Sequence, residues 1–294
     1  MDGGSLLNPA DNQHDPSSMS PPSISIEELL RHVPASVRGL VIDRESFDFR
    51  TLPDLPALER LSLIRLRSVV GWDPERMPAL RELHFAHLPT RPAPGTWPPS
   101  LAPTDLGFLA AAVPGLQGLS LHHLASLSSL DAFSCLEALE RLKILCYLDR
   151  LSDISALSTL PRLAEFELRC GETIPDLAPL AELPSLRRLR LHAAPALPGL
   201  AFLVGMAGLE DLDLVSLKRG EPLEPLAALP RLRRLRIHSF NESIDLSPLH
   251  GLARLEEVDL SECRSLERLS GARALDTCRV KLPLFRKPGF RVDS

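Results

Sequence analysis

Apolar residues recur along this chain at one fixed spacing. Leu163, Phe166 and Leu168 form an L-x-x-L-x-L arrangement that returns as Leu186, Leu189 and Leu191, then as Leu209, Leu212 and Leu214. It returns again as Leu232, Leu235 and Ile237, and as Leu255, Val258 and Leu260. The first positions step by 23 residues each time (186−163, 209−186, 232−209, 255−232). A fixed period of that size marks a stack of equivalent units, each too small to bury its own apolar face, so the core forms only when neighbours stack. The last two apolar positions of each unit alternate with polar ones, which is the period of a short half-buried strand. Successive strands are predicted to pair in parallel, about 4.8 Å apart. The return segments read Ile174, Leu177, Leu180, Leu183 and Leu223, Leu226, Leu229. A strict three-residue spacing suits a helix of three residues per turn. Pro179, Pro225 and Pro248 fall in these segments and argue for short 3₁₀ or loop-like arcs, since proline breaks helix interiors.

The pattern extends toward the N-terminus with less regularity. Units begin at Val37, Leu58, Leu80, Leu116 and Leu139, and a last one is read as Leu275, Cys278 and Val280. The solenoid is therefore predicted over 37–282, with about 11 repeats. The step from Leu80 to Leu116 is 36 residues (116−80), and the excess marks an insertion at 88–113. That insertion carries Pro89, Pro92, Pro94, Pro98, Pro99 and Pro103 around Trp97, then a short helix predicted over Leu106 to Val113 behind Thr104 and Asp105. Before the repeats, Ser25 and Glu28 form a capping box, and Ile26, Leu29, Leu30 and Val33 give an apolar helical stripe. Segment 23–36 is read as the helix that caps the open end of the stack. Residues 1–22 hold few large apolar groups and are predicted to be disordered. Residues 283–294 are read as a short basic tail.

Composition narrows the setting. Hydrophobic residues make up 44% and aromatics 4%, so the core is aliphatic. A net charge of −5 gives no long-range pull toward nucleic acid or an acidic membrane. The five cysteines, Cys135, Cys146, Cys170, Cys263 and Cys278, form no C-x-x-C pair, which argues against a disulfide framework or zinc ribbon and for a reducing compartment. No basic segment followed by an apolar run precedes Ser23, and no apolar stretch is long enough to span a bilayer. A cytoplasmic location is expected, the alternative being an effector exported without a cleaved signal. The basic residues are nearly all arginine, a bias expected of a GC-rich bacterial genome.

The repeats resemble those of leucine-rich repeat proteins over roughly Val37 to Leu282. The D-L-x-P-L runs Asp176 to Leu180 and Asp245 to Leu249 are similar to the short-repeat bacterial type, found in internalins and in a phosphatase-regulating leucine-rich protein. The resemblance implies an α/β solenoid, a horseshoe with a parallel concave β-sheet and short 3₁₀ or loop segments on the convex side. The family often places Asn or Cys three residues after the last strand leucine, as a side-chain ladder. Here that position holds Gly171, Ala194, Leu217, Phe240 and Cys263, so apolar packing is expected to hold the turn instead.

The polar positions between the strand leucines face away from the core, onto the surface by which this family usually binds. From Arg141 and Lys143 onward their sign alternates at every repeat: Glu165 and Glu167, Arg188 and Arg190, Asp211 and Asp213, Arg234 and Arg236, Glu257 and Asp259, Arg279 and Lys281. Adjacent rows lie within side-chain reach, so a cross-strand ion-pair lattice is predicted, self-neutralised and acting chiefly as scaffold. It also denies the single-signed groove that a phosphate backbone needs. The N-terminal half is different: its positions include Val41, Arg60, Ser62, Ile64, Glu82, His84, Ser120 and His122, mostly small, apolar or imidazole. With Trp97 on its Pro-rich loop as an anchor, these residues together with Arg141 and Lys143 are the predicted partner-binding site.

Candidate chemistry is thin. His84, His87, His122 and His123 cluster in two repeats, but no Asp, Glu or Cys completes a ligand spacing, and His192 and His238 recur at the position of His122. Cys146 and Cys170 have no motif that ties a base to either thiol. No phosphate-binding glycine loop, H-E-x-x-H or G-x-S-x-G is present. The expectation is a non-enzymatic protein–protein interaction module with no cofactor, no metal, no nucleic acid and no membrane partner, acting as a monomer or within a hetero-complex. It could regulate or inhibit what it binds. The alternative is a sensor of a glycan or small ligand on the N-terminal half of the same face.

Overall fold

A computed structural model of the chain describes residues 30–65, 68–86, 113, 115–122, 129–145, 151, 153–170, 176–193, 197, 199–217, 220–238, 243–275, 278–284 and 290–292. The N-terminal segment 1–22, the first part of the capping segment, and Trp97 with nearly all of the 88–113 insertion lie outside the described residues.

Among the described residues, eleven strands form one parallel sheet in strict chain order. They are β1 (Gly39–Asp43), β2 (Arg60–Ile64), β3 (Glu82–Ala86), β4 (Gly118–His122), β5 (Arg141–Leu145) and β6 (Glu165–Cys170). The series continues with β7 (Arg188–Ala193), β8 (Asp211–Val215), β9 (Arg234–His238), β10 (Glu257–Asp259) and β11 (Arg279–Lys281). Every repeat leucine meets its equivalent: Leu189 faces Leu212, and Leu212 faces Leu235. In β9, Leu235 and Ile237 are buried while Arg234, Arg236 and His238 are wholly or partly exposed, and most strands of the sheet follow the same alternation. β3 pairs directly with β4, so the insertion enters between neighbouring strands without interrupting the sheet.

The return segments are 3₁₀ turns, as the three-residue spacing predicts, for example at Ala178–Glu182, Glu224–Ala228 and Ser247–Leu249. The D-L-x-P-L motif explains how they start. Asp176 accepts the Ala178 amide at 3.0 Å and Asp245 accepts the Ser247 amide at 3.0 Å. Each aspartate thereby turns the chain two residues on. Proline then fits the first turn, where its missing N–H is not needed. Leu180, Leu226 and Leu249, all 0% exposed, close the core from this side.

Of the side-chain ladder positions, Leu217 and Cys263 are among the described residues, whereas Gly171, Ala194 and Phe240 lie outside them. Leu217 is buried and packs, as expected, while the Cys263 thiol donates to the Ile237 carbonyl at 3.0 Å. One repeat thus keeps a polar tie to its neighbour.

Both ends of the stack are covered in part by described residues. Leu30, Val33 and Val37 pack against the core at the first repeat. At the other end Phe290 packs against it, and Arg291–Val292 pairs with the outer strand Arg268–Ser270. Part of the segment read as a tail is therefore a strand of a small outer sheet. The last repeat sits two residues later than its L-x-x-L-x-L reading. Val258 pairs with Val280, so Cys278 is not in the second apolar position. A shift of two leaves every side chain on its own face, which is why the hydrophobic pattern tolerates either reading. The charges decide: this register sets Arg279 against Glu257 and Lys281 against Asp259.

Candidate binding face

The register gathers the predicted site. Arg60, Glu82 and Arg141 lie in one row across β2, β3 and β5, with Gly118 of β4 between the last two. Ser62, His84, Ser120 and Lys143 form the next row. Ile64 and His122 lie in a third, separated by Ala86. These nine residues make one contiguous patch on four neighbouring strands; Trp97, the tenth, lies outside the described residues. Val41, 63% exposed on β1, extends the patch to the first repeat.

Within the patch, the His84 and His122 rings meet edge to face with centroids 4.5 Å apart. The Ser120 hydroxyl lies 2.9 Å from His122 Nε2 and fixes that ring. Burial pushes the His84 imidazole below its ordinary pKa, so it is neutral near pH 7. Among the described residues no group of three His, Cys, Asp or Glu converges on a metal position. Gly118 has a specific use. Arg141 reaches over it to Glu82, at 3.1 Å, and only a side chain longer than a methyl would stand in the way.

From β5 to β11 the predicted lattice is present and two-dimensional. Arg188 bridges Glu165 at 2.7 Å and Asp211 at 3.2 Å, and Arg234 meets the other side of Asp211 at 2.6 Å. One row further along the strands, Arg190 joins Asp213 at 2.9 Å and Glu167 at 3.6 Å. Arg236 lies between Asp213, at 3.4 Å, and Asp259, at 3.3 Å. Burial works against the charge on Asp259. Hydrogen bonds from Ser261 and the nearby Arg236 outweigh it and hold the carboxyl below its ordinary range.

The sequence reading missed two features. A third charged column runs along the strand starts, with Arg38 against Glu59 at 3.6 Å, Arg187 against Glu210 at 4.0 Å and Arg233 against Glu256 at 2.5 Å. A charged residue stands directly before eight of the eleven strands; Gln117, Ala164 and Cys278 interrupt the series, which makes its alternation of sign harder to see. The lattice is also not flush. It floors a groove of about 330 Å³ over β5 to β10. Depth in such a groove depends on side-chain length and strand curvature, which charge patterning does not encode.

At the far ends of β7 and β9, His192 and His238 flank Val215, each with a buried Nε2 that makes no hydrogen bond. Burial, helped by Arg169, keeps the His192 imidazole below its ordinary pKa. They are equivalent positions two repeats apart, at a spacing of 46 residues (238−192).

No family model and no curated protein matches the chain. Solved structures do. A leucine-rich repeat protein of Leptospira interrogans aligns over 90% of this chain and 58% of its own, with 16% identity and a TM-score of 0.54. The fold is the leucine-rich repeat. The TLR13–ssRNA13 complex also aligns, over 87% of this chain and 40% of that one, with 17% identity and a TM-score of 0.54. Internalin C2 of Listeria monocytogenes is 23% identical over 63% of this chain and 73% of its own, with a TM-score of 0.45. In this leucine-rich repeat chain the eleven-stranded sheet is the concave face, and the 3₁₀ turns line the convex side.

Proposed function

We propose that this leucine-rich repeat chain binds a partner protein through its concave face, with the β1–β5 patch as the anchor and Trp97 of the insertion as a further contact. The observation that carries the reading is the patch itself. Val41, Ser62, Ile64, His84 and Ser120 form a half-exposed surface of apolar, small and neutral polar groups, bordered by charged Arg60, Glu82 and Lys143. An apolar centre with a polar rim is the anatomy of a protein interface. A nucleic-acid partner is less well supported, because the patch offers no run of like cations for a phosphate backbone. The reading is of binding without turnover. Regulation or inhibition of the partner would follow from covering its surface.

The test is capture of the native partner by the full chain, with the contact mapped by cross-linking. Ile64→Arg puts a charge in the centre of the patch and is expected to abolish capture, and Trp97→Ala to weaken it. Both variants should keep the wild-type circular dichroism spectrum. Undiminished capture by a folded Ile64→Arg variant would remove the anchor assignment.

A further inference from the structure

The groove lining, six basic against six acidic residues, is neutral as a list of charges but not as a surface. The side chains of Glu167, Asp211, Asp213, Glu257 and Asp259 are only 10–21% exposed. Those of Arg188, Arg190, Arg234 and Arg236 are 42–58% exposed. Short carboxylates form the floor, and long guanidinium groups lean over them and still face the groove. Each guanidinium has five N–H donors in a fixed fork. Arg188 spends Nη1 on Glu165 and approaches Asp211 with Nε, and Arg236 meets Asp259 through Nε and Asp213 through Nη1. Arg234 clamps Asp211 with Nε and Nη2, each at 2.6 Å, and keeps its Nη1 donors. The donors left over on these half-exposed guanidinium groups face the groove. At the centre, Asp213 Oδ1 is a buried acceptor with no hydrogen bond.

We propose that this groove cradles an acidic, proline-rich extended segment of the partner protein, whose carboxylates engage the guanidinium rows of β7 and β9. The proposal rests on the reading that the concave face binds protein, and it names the chemistry of that protein's second contact. Two observations commit it to a peptide. The exposed forks match carboxylates in charge and geometry. Among the described residues that line the groove no aromatic ring is presented for bases to stack on, since Phe166 beneath it is only 1% exposed.

Spacing sharpens the occupant. Guanidinium rows lie two strands apart, roughly 10 Å at the usual strand separation. A polyproline II helix advances about 9.3 Å in three residues and returns to the same face. A carboxylate at every third position therefore meets successive basic rows.

The experiment uses the full chain and a labelled peptide of four Glu-Pro-Pro triplets, followed by fluorescence polarisation at low and high salt. Controls are the same peptide with Gln for Glu, a peptide of equal length with its glutamates contiguous, and a single-stranded RNA of similar length. The triplet peptide is expected to bind, to weaken with salt, and to exceed each control. Arg188→Gln with Arg234→Gln should weaken it about tenfold, as two half-exposed charge contacts are lost. Arg188→Lys with Arg234→Lys keeps the lattice charge but removes the forks, and should weaken it as well. Arg233→Gln, which removes an ion pair outside the groove, should not. Equal binding of the Gln peptide, tighter binding of RNA, or an equal loss with Arg233→Gln would overturn the proposal. If the triplet peptide fails while Ile64→Arg still abolishes partner capture, the protein-binding reading stands and this inference falls. If the peptide binds while Ile64→Arg is silent, the anchor assignment falls and this inference stands.

Discussion

Two carboxylates of the solenoid make ion pairs that distance alone ranks in the wrong order. Glu256 meets Arg233 at 2.5 Å, whereas Asp213 meets Arg190 at 2.9 Å and Arg236 at 3.4 Å. Glu256 and Arg233 are about half exposed, at 54% and 50%, while the Asp213 side chain is 13% exposed. Water and salt screen the first pair almost completely. For Asp213 the effective dielectric is lower. Charges about 4 Å apart attract by about 4 kcal/mol per partner at a dielectric near 20, and desolvation offsets most of that. Asp213→Asn keeps the shape and removes the charge, and places an amide beside two guanidinium groups. The expected loss is about 1–2 kcal/mol. Glu256→Gln should produce no measurable shift. Urea titration of both variants, read by circular dichroism and by tryptophan fluorescence, measures the difference and checks that the repeats unfold together. High salt should shrink the Asp213→Asn effect only in part. If Asp213→Asn proves as silent as Glu256→Gln, or if high salt erases its effect, the lattice is ordinary surface charge and the argument from depth fails.

Further outcomes follow from single sites. Gly271 has φ +70°, and a Cβ there would overlap the Ser247 backbone nitrogen, so Gly271→Ala should cost about 2–3 kcal/mol. Gly251→Ala, with open space around it, should be near neutral in the same urea titration. Burial holds the His84 and His192 imidazoles below their usual pKa of 6.5. As pH falls below that value the unfolded chain takes up protons first, so stability present above it is lost. The urea midpoint should drop between about pH 7.5 and about pH 5.5, and drop less in a His84→Gln, His192→Gln variant. An equal drop in that variant would assign the effect elsewhere. Cys135 is exposed and should react with Ellman's reagent at once, whereas Cys263, 0% exposed, should react only on unfolding.

What the sequence disclosed depended on which residues repeat. Leu186, Leu209 and Leu232 fix the sheet, because a core built by stacking needs the same residue in the same place each time. The alternating rows were legible for the same reason, as was the patch on β2–β5, where that alternation stops. The last repeat was harder. Cys278 and Val280 both satisfy the apolar pattern, and only the pairing of Arg279 with Glu257 settles which one faces Val258. The depth of the carboxylates was not legible at all. Aspartate and arginine count as equal and opposite charges in a sequence, and only their lengths, set on a curved sheet, bury one and present the other.

The two halves of the concave face are joined at Arg141. It lies in the first basic row of the lattice, yet its partner, Glu82, belongs to the N-terminal patch two strands away. The contact passes over Gly118 of β4, at the position where every later strand of the row carries a charge. A larger residue at that position would stand between Glu82 and Arg141, and the regular lattice would end at β5 against an unrelated surface. With glycine there, the guanidinium bridges the gap, and patch and groove form one continuous face. A partner with an apolar anchor and an acidic extended arm could cover both at once. Arg141, 36% exposed at the boundary, is where the two contacts would meet.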